Sequence, residues 1–309
     1  LFGEVAVKVA MAGENIHGSG AAATRIRRTF AKWLERPRIQ KRFYPHMKTR
    51  FILIAGGSMF GAGSLSAQIA GHQDTPIIPG TEFHVHDGER PQPRVIESGG
   101  AVVVKPPSDA VVLFDGSNTD AWVAVNGEAS PWEVRDGVMV AKGTDIRTKD
   151  EFGAVQIHFE WRLPAGRKVS GQGGGNSGIF VMGRYEIQVL QSHTNPTYPD
   201  GQATALYGQL PPLVNATSPQ GEWNSYDITF TPPVYEGEKV ITPAKVTVIH
   251  NGVVVQNGEF FLGTTTHKNL AAYPAKHPET GPLRLQFHGD PVEFRNIWVR
   301  PLGERDREK

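Results

Sequence analysis

AVQIHFEWR, residues 154–162, alternates apolar and polar side chains without a break. Val155, Ile157, Phe159 and Trp161 fall on one side, and Gln156, His158, Glu160 and Arg162 on the other. Successive side chains of a strand point to opposite faces, so period two predicts a strand with one face in a core. YEIQV (185–189) repeats the pattern, with Tyr185, Ile187 and Val189 opposed to Glu186 and Gln188. In LRLQFH (283–288), Leu283, Leu285 and Phe287 alternate with Arg284, Gln286 and His288. KVTVIHNGVVV (245–255) reads as two short strands around Asn251-Gly252, a strong hairpin signal. No segment of ten or more residues carries a convincing 3.6-residue period, and 35 Gly with 23 Pro favour many turns over long helices. The expectation is an all-β chain, two antiparallel sheets packed as a sandwich or jelly roll.

Charge divides the 309 residues unevenly. Residues 1–50 carry eleven Lys/Arg and three Asp/Glu, whereas the rest carries twenty-one basic and twenty-eight acidic groups. Alone, the basic run Arg25–Arg42 would suggest a nucleic-acid tail. The next segment, MKTRFILIAGGSMFGAGSLSAQ (47–68), has basic Lys48 and Arg50, an uncharged apolar run from Phe51 to Gly63, and small residues Ser64, Ser66 and Ala67. This is the layout of a secretory signal peptide with cleavage near Ala67–Gln68, and it is too short and glycine-rich for a stable membrane anchor. We expect translation to start at Met47, residues 1–46 to be upstream sequence, 47–67 to be the signal peptide, and the exported protein to be periplasmic or extracellular. Its acidic balance argues against nucleic acid as a partner. Residues 68–107 read as an extended arm or linker, 108–303 as the β domain and 304–309 as a charged tail.

Several chemistries are excluded. Without Cys there is no disulfide, thiolate nucleophile or Cys-ligated metal. No G-x-S-x-G or Walker-type motif occurs, and the G-x-G-x-x-G spacing of Gly173, Gly175 and Gly178 lacks the helix that a dinucleotide site needs. The glycine cluster GQGGGNSG (171–178) precedes a strand rather than a helix and reads as a flexible inter-strand loop. Glu186 and Gln188 share one polar face, and Arg284, Gln286 and His288 another. If both line one concave side they form a groove suited to sugar hydroxyls, with Trp122, Trp132 or Trp223 to stack on the ring; otherwise they are a solvated sheet face. His84-Val85-His86-Asp87 places two imidazoles on one side of an extended segment. No third ligand follows at a recognisable spacing, so they read as packing or hydrogen-bonding residues of the arm rather than metal ligands.

Six blocks in order carry a resemblance: VVLFDGSNTDAW (111–122), GNSGIFVMGRYEIQVLQS (175–192), TYPDGQATALYGQLPPLVNA (197–216), GEWNSYDITF (221–230), PAKVTVIHNGVVVQN (243–257) and PLRLQFHGDPVEFRNIWVRPL (282–302). Together they resemble the 3-keto-disaccharide hydrolase domain family, and the arm's HVHDGERPQP is similar to an extension found ahead of this domain in some members. The resemblance implies a concanavalin-like jelly roll acting on glycosides whose sugar is oxidised to a ketone at C3. It points to Asn176, Arg184, Glu186, Gln188, Tyr207, Gln286, His288 and Arg295 as groove residues, beside Trp223 as a stacking candidate. Gln191 and Phe287 stand where the family pattern has acids. A C3 ketone acidifies the C2 proton, so one base, one proton donor and a partner for the enolate oxygen suffice. Glu186 and His288 are the expected acid–base pair, with Arg295 or a divalent metal at the enolate oxygen; no cofactor is required by the sequence. A conventional β-glucanase and a non-catalytic carbohydrate-binding module are the alternatives.

Overall fold

The computed structural model describes residue 69 and residues 71–303. Residues 1–46, the expected signal peptide 47–67 and the tail 304–309 lie outside the described residues. Two antiparallel sheets dominate. The larger has eight strands, ordered Val253–Phe260, Lys245–His250, Asn224–Thr231, Val155–Arg162, Glu293–Pro301, Val138–Val140 and Glu133–Arg135, with Val111–Phe114 also paired to Glu293–Pro301. The smaller has five, ordered Trp122–Ala124, Ile146–Phe152, Gly281–Leu285, Ser177–Val181 and Tyr185–Val189. A parallel pair (Arg94–Val95 with Val214–Asn215) and a hairpin (Val234–Glu236 with Lys239–Thr242) complete the set. Among the described residues there is no α-helix, and so none long and apolar enough to cross a membrane. The all-β jelly-roll sandwich expected from the alternation is the fold observed.

The core is the layer where the two apolar faces meet. Val155, Ile157, Phe159 and Trp161 enter it from the larger sheet, and Tyr185, Ile187 and Val189 from the smaller, all fully buried. The hairpin at Asn251-Gly252 forms as expected, with φ of 51° and 79° in the paired left-handed turn that suits the strand twist. The outward-facing side chains His158 and Glu160 are nonetheless buried. Arm residues lie on that face: Val104 O accepts hydrogen bonds from Asn296 Nδ2 and Trp298 Nε1, and Val102 N–H donates to Ser225 Oγ.

Two expectations are corrected. The strand expected over 283–288 ends at Leu285. Beyond it the Gln286 N–H still donates to Gly178 O, but Asp145 Oδ1 accepts the Phe287 N–H and Ser177 Oγ–H donates to Gln286 O, so side chains take over from the ladder. Trp122 and Trp132 belong to the core rather than to any surface. Their indole N–H groups donate to the carbonyls of Leu113 and Thr144, and Trp132 stacks on Phe294 at 5.5 Å.

Candidate functional site

Because Tyr185, Ile187 and Val189 are committed to the core, Glu186 and Gln188 must point away from it. Glu186 pairs with Phe180 across the hairpin, and Gln188 with Gly178. A Cβ built on Gly178 would stand 2.6 Å from Glu186 Oε1, so the bare glycine makes room for the carboxyl group. Around this floor lies a groove of about 470 Å³. Gln172, Asn176, Tyr198, Tyr207, the loop Thr265–His267, Gln286 and His288 line it.

Glu186 is 4% exposed, and its carboxylate accepts no hydrogen bond from any described residue. Burial pushes its pKa up to about 8; the Arg284 charge opposes that rise and Asp145 adds to it. Arg284 is itself held by Asp145 at 3.2 Å and lies 3.7 Å over the Phe180 ring. At neutral pH Glu186 is therefore mostly the uncharged acid. Tyr198 and Tyr207 hydroxyls are 3.1 Å apart, and Tyr207 Oη lies 3.3 Å from His267 Nδ1. Burial raises both phenols, Tyr198 to about 12 and Tyr207 further, so both remain hydrogen-bond donors. Burial, reinforced by the neighbouring His86 and Lys268, lowers the pKa of His267.

The groove thus gathers Glu186, Asn176, Tyr207, Gln286 and His288 from the sequence-derived candidates. Gln188 lies beneath it, fully buried, donating to Gln172 Oε1 and Gly201 O; Asn176 Nδ2 donates to the carbonyl of Gln172. Three candidates stand elsewhere. Arg184 is exposed where the hairpin turns, at the point where strand alternation ends, and only its carbonyl serves the site, accepting the Thr265 N–H at 2.9 Å. Arg295 follows core residue Phe294 and so faces outward from the opposite sheet, bonded to Glu160 at 2.7 Å. Trp223 lies on that same outer face, stacked between the guanidinium groups of Arg295 and Arg162 at 4.1 and 4.5 Å. Arg295, expected at an enolate oxygen, therefore does not line the groove.

Gln172, Tyr198, His267 and the arm's His86 are contributions that strand periodicity did not mark, since none of the four sits in a strand: Gln172 is in the short 3₁₀ helix Gly171–Gly173 and the others are in turns or loops. The segment expected to be a plain flexible loop carries Gln172, whose Nε2 donates to Thr197 Oγ1 and Gly201 O. The two arm imidazoles do not share a side. His86 has φ of +61°, which turns it inward to Asp200, whereas His84 Nδ1–H donates to the carbonyl of Thr75. Gln191 and Phe287 do not line the groove: Gln191 is buried with its Oε1 accepting the His193 N–H, and Phe287 packs on the core. Among the described residues no group of three or more His, Asp or Glu is placed to hold a metal ion.

A groove of sugar size, lined by hydroxyl, amide and imidazole groups on a jelly-roll sandwich, defines a carbohydrate-active protein. Residues 109–300 match the 3-keto-alpha-glucoside-1,2-lyase-like domain, and the chain belongs to that family. It is 24% identical over 247 residues to the 3-keto-disaccharide hydrolase of Bacteroides thetaiotaomicron, covering 62% of this chain and 78% of that one. It is also similar to a crystal structure from Parabacteroides distasonis that bears the name of a glycosyl hydrolase. There the identity is 44%, the TM-score 0.63, and the coverage 69% of this chain and 93% of the other. These relatives and the groove together make the protein a carbohydrate-active enzyme of the hydrolase kind.

Proposed function

We propose that the protein cleaves the glycosidic bond of 3-keto-glycosides by elimination and rehydration. The observation that carries this reading is the single carboxyl among the groove-lining residues, Glu186, buried in a groove that also holds two imidazoles, with burial favouring its protonated form. A retaining glycosidase needs two carboxylates roughly 5 Å apart, and the groove lining supplies one. A ketone at C3 removes the need for the second.

In this scheme a groove imidazole, His288, takes the proton from C2, and the electron pair moves into the C2–C3 bond to leave an enolate at the C3 oxygen. The phenol hydroxyls of Tyr198 and Tyr207 and the side-chain amides of Asn176 and Gln286 are the donors available to that oxygen. The enolate then expels the C1 oxygen as a C1–C2 double bond forms, and Glu186 protonates the leaving oxygen. Water next adds across the double bond, its hydroxide to C1 and a proton to C2. Glu186, now a carboxylate, takes a proton from that water, and His288 returns one to C2. Proton and electron balance close without any redox partner. The family to which the chain belongs and the name of the Bacteroides relative, a 3-keto-disaccharide hydrolase, support the 3-keto substrate. The layout of residues 47–67 supports export, for which an N-terminus at Gln68 in the exported protein is the expected reading.

The test is a pair of substrates differing only at C3. Methyl 3-keto-β-glucoside should be cleaved and methyl β-glucoside left intact. Equal cleavage of both, or cleavage of laminarin in preference, would contradict the reading and favour direct glucanase chemistry.

A further inference from the structure

His86 lies ahead of the family match at 109–300 yet is wholly buried behind the tyrosine wall of the groove. Its φ of +61° is in the left-handed region, strained for a non-glycine residue and sustained only where surrounding contacts impose it. Asp200, also fully buried, imposes it at two points. Its Oδ2 accepts the His86 backbone N–H at 2.9 Å, and its Oδ1 accepts the ring Nδ1–H at 3.2 Å. The ring is thereby fixed with its centroid 4.2 Å from that of Tyr198, 4.7 Å from Tyr207 and 5.5 Å from His267.

With Nδ1–H committed to Asp200, Nε2 is the ring's remaining polar atom. It is buried and has no hydrogen-bond partner among the described residues. A buried orphan nitrogen on a strained backbone weakens the fold, so that atom does not account for a histidine at this position. Its contacts do: the ring backs both tyrosines whose hydroxyls face the groove. A displacement of about 1 Å in a substrate-facing donor is enough to lose its hydrogen bond in the reacting geometry.

We propose that His86 is a positioning residue. Anchored by Asp200, it holds Tyr198 and Tyr207 against the groove, and the segment ahead of the family domain thereby supplies part of the sugar site. The proposal rests on the reading of the groove as a glycoside site.

The test is a double-mutant cycle on the full chain with His86→Gln, Tyr207→Phe and the pair combined, alongside Asp200→Asn. Asn at 200 keeps the size of the anchor but turns a donor toward His86 Nδ1. Two readouts are taken: calorimetric binding of methyl β-glucoside, which has no C3 ketone, and kcat and KM on methyl 3-keto-β-glucoside. His86→Gln and Asp200→Asn should each weaken glucoside binding about tenfold and lower kcat. The double variant should lose clearly less than the product of the two single losses, because His86 acts through Tyr207. Unchanged binding in His86→Gln, or losses that simply multiply, overturns the proposal; a merely structural role would multiply. If His86→Gln fails to fold, the Asp200→Asn cycle with Tyr207→Phe decides in its place. A wild-type protein that binds the glucoside but cleaves no 3-keto sugar defeats the proposed reaction while the binding cycle still judges His86. One that binds no sugar defeats both.

Discussion

Glu186→Gln is expected to lower turnover of a 3-keto-glucoside by roughly 10²–10⁴-fold, the usual contribution of a positioned proton donor, while the sandwich stays folded. Gln keeps the size of the side chain above Gly178 but cannot protonate the leaving oxygen. The same substitution should raise stability in a pH-dependent way. Folded, Glu186 keeps its proton up to about pH 8; unfolded, it releases it near its ordinary value of 4.5. Folding therefore takes up a proton at Glu186 between these values, and this residue's contribution to stability falls across that window by about 1.4 kcal/mol per pH unit, then levels off. Gln has no such dependence. Urea unfolding of both proteins at pH 4 and pH 8 should show a small difference at the lower pH and a gain of a few kcal/mol for Gln at the higher. A difference that does not change with pH would mean that Glu186 is already ionised in the folded protein. Wild-type turnover should likewise decline above about pH 8 as the acid form is lost.

Gly178→Ala should cost at least tenfold in turnover with little loss of fold. The added Cβ would meet Glu186 Oε1 at 2.6 Å and must displace it. Gly178 is fully buried within a strand and does not have a positive φ, so alanine is acceptable to the backbone. The strain falls on the carboxyl group, which is enclosed and moves out of line with the leaving oxygen. Circular dichroism and thermal unfolding should be near wild type while kcat falls. Unchanged kcat would show that the position of this carboxyl does not matter to the reaction.

The alternation in 154–162 and 185–189 made the sandwich legible, because period two reports burial directly. It also placed Glu186 and Gln188 on the polar side, and the structure has them there. Alternation reports a face, however, and not the sheet to which that face belongs. Arg295 obeys the same rule as Glu186, facing away from the core, yet it does so on the other sheet, where it pairs with Glu160 and Trp223. Tryptophan content was equally ambiguous: Trp122 and Trp132 are core residues, and the groove's aromatic groups are Phe180, Tyr198 and Tyr207. The contact of His86 with Asp200 joins positions 114 residues apart through a backbone turn that no local pattern announces. Gln172 was hidden in a glycine-rich run whose composition signals only flexibility. Resemblance to the family supplied the ordered blocks, but which of their polar residues meet in one groove depends on the fold.

The most direct test of elimination chemistry is turnover of methyl 3-keto-β-glucoside by the full chain in heavy water, with the released sugar read by mass spectrometry and NMR. The expected product is 3-keto-glucose carrying deuterium at C2, because the proton held on His288 exchanges with solvent as the aglycone leaves and water enters. Cleavage that leaves hydrogen at C2 throughout would contradict this and assign the enzyme to direct hydrolysis.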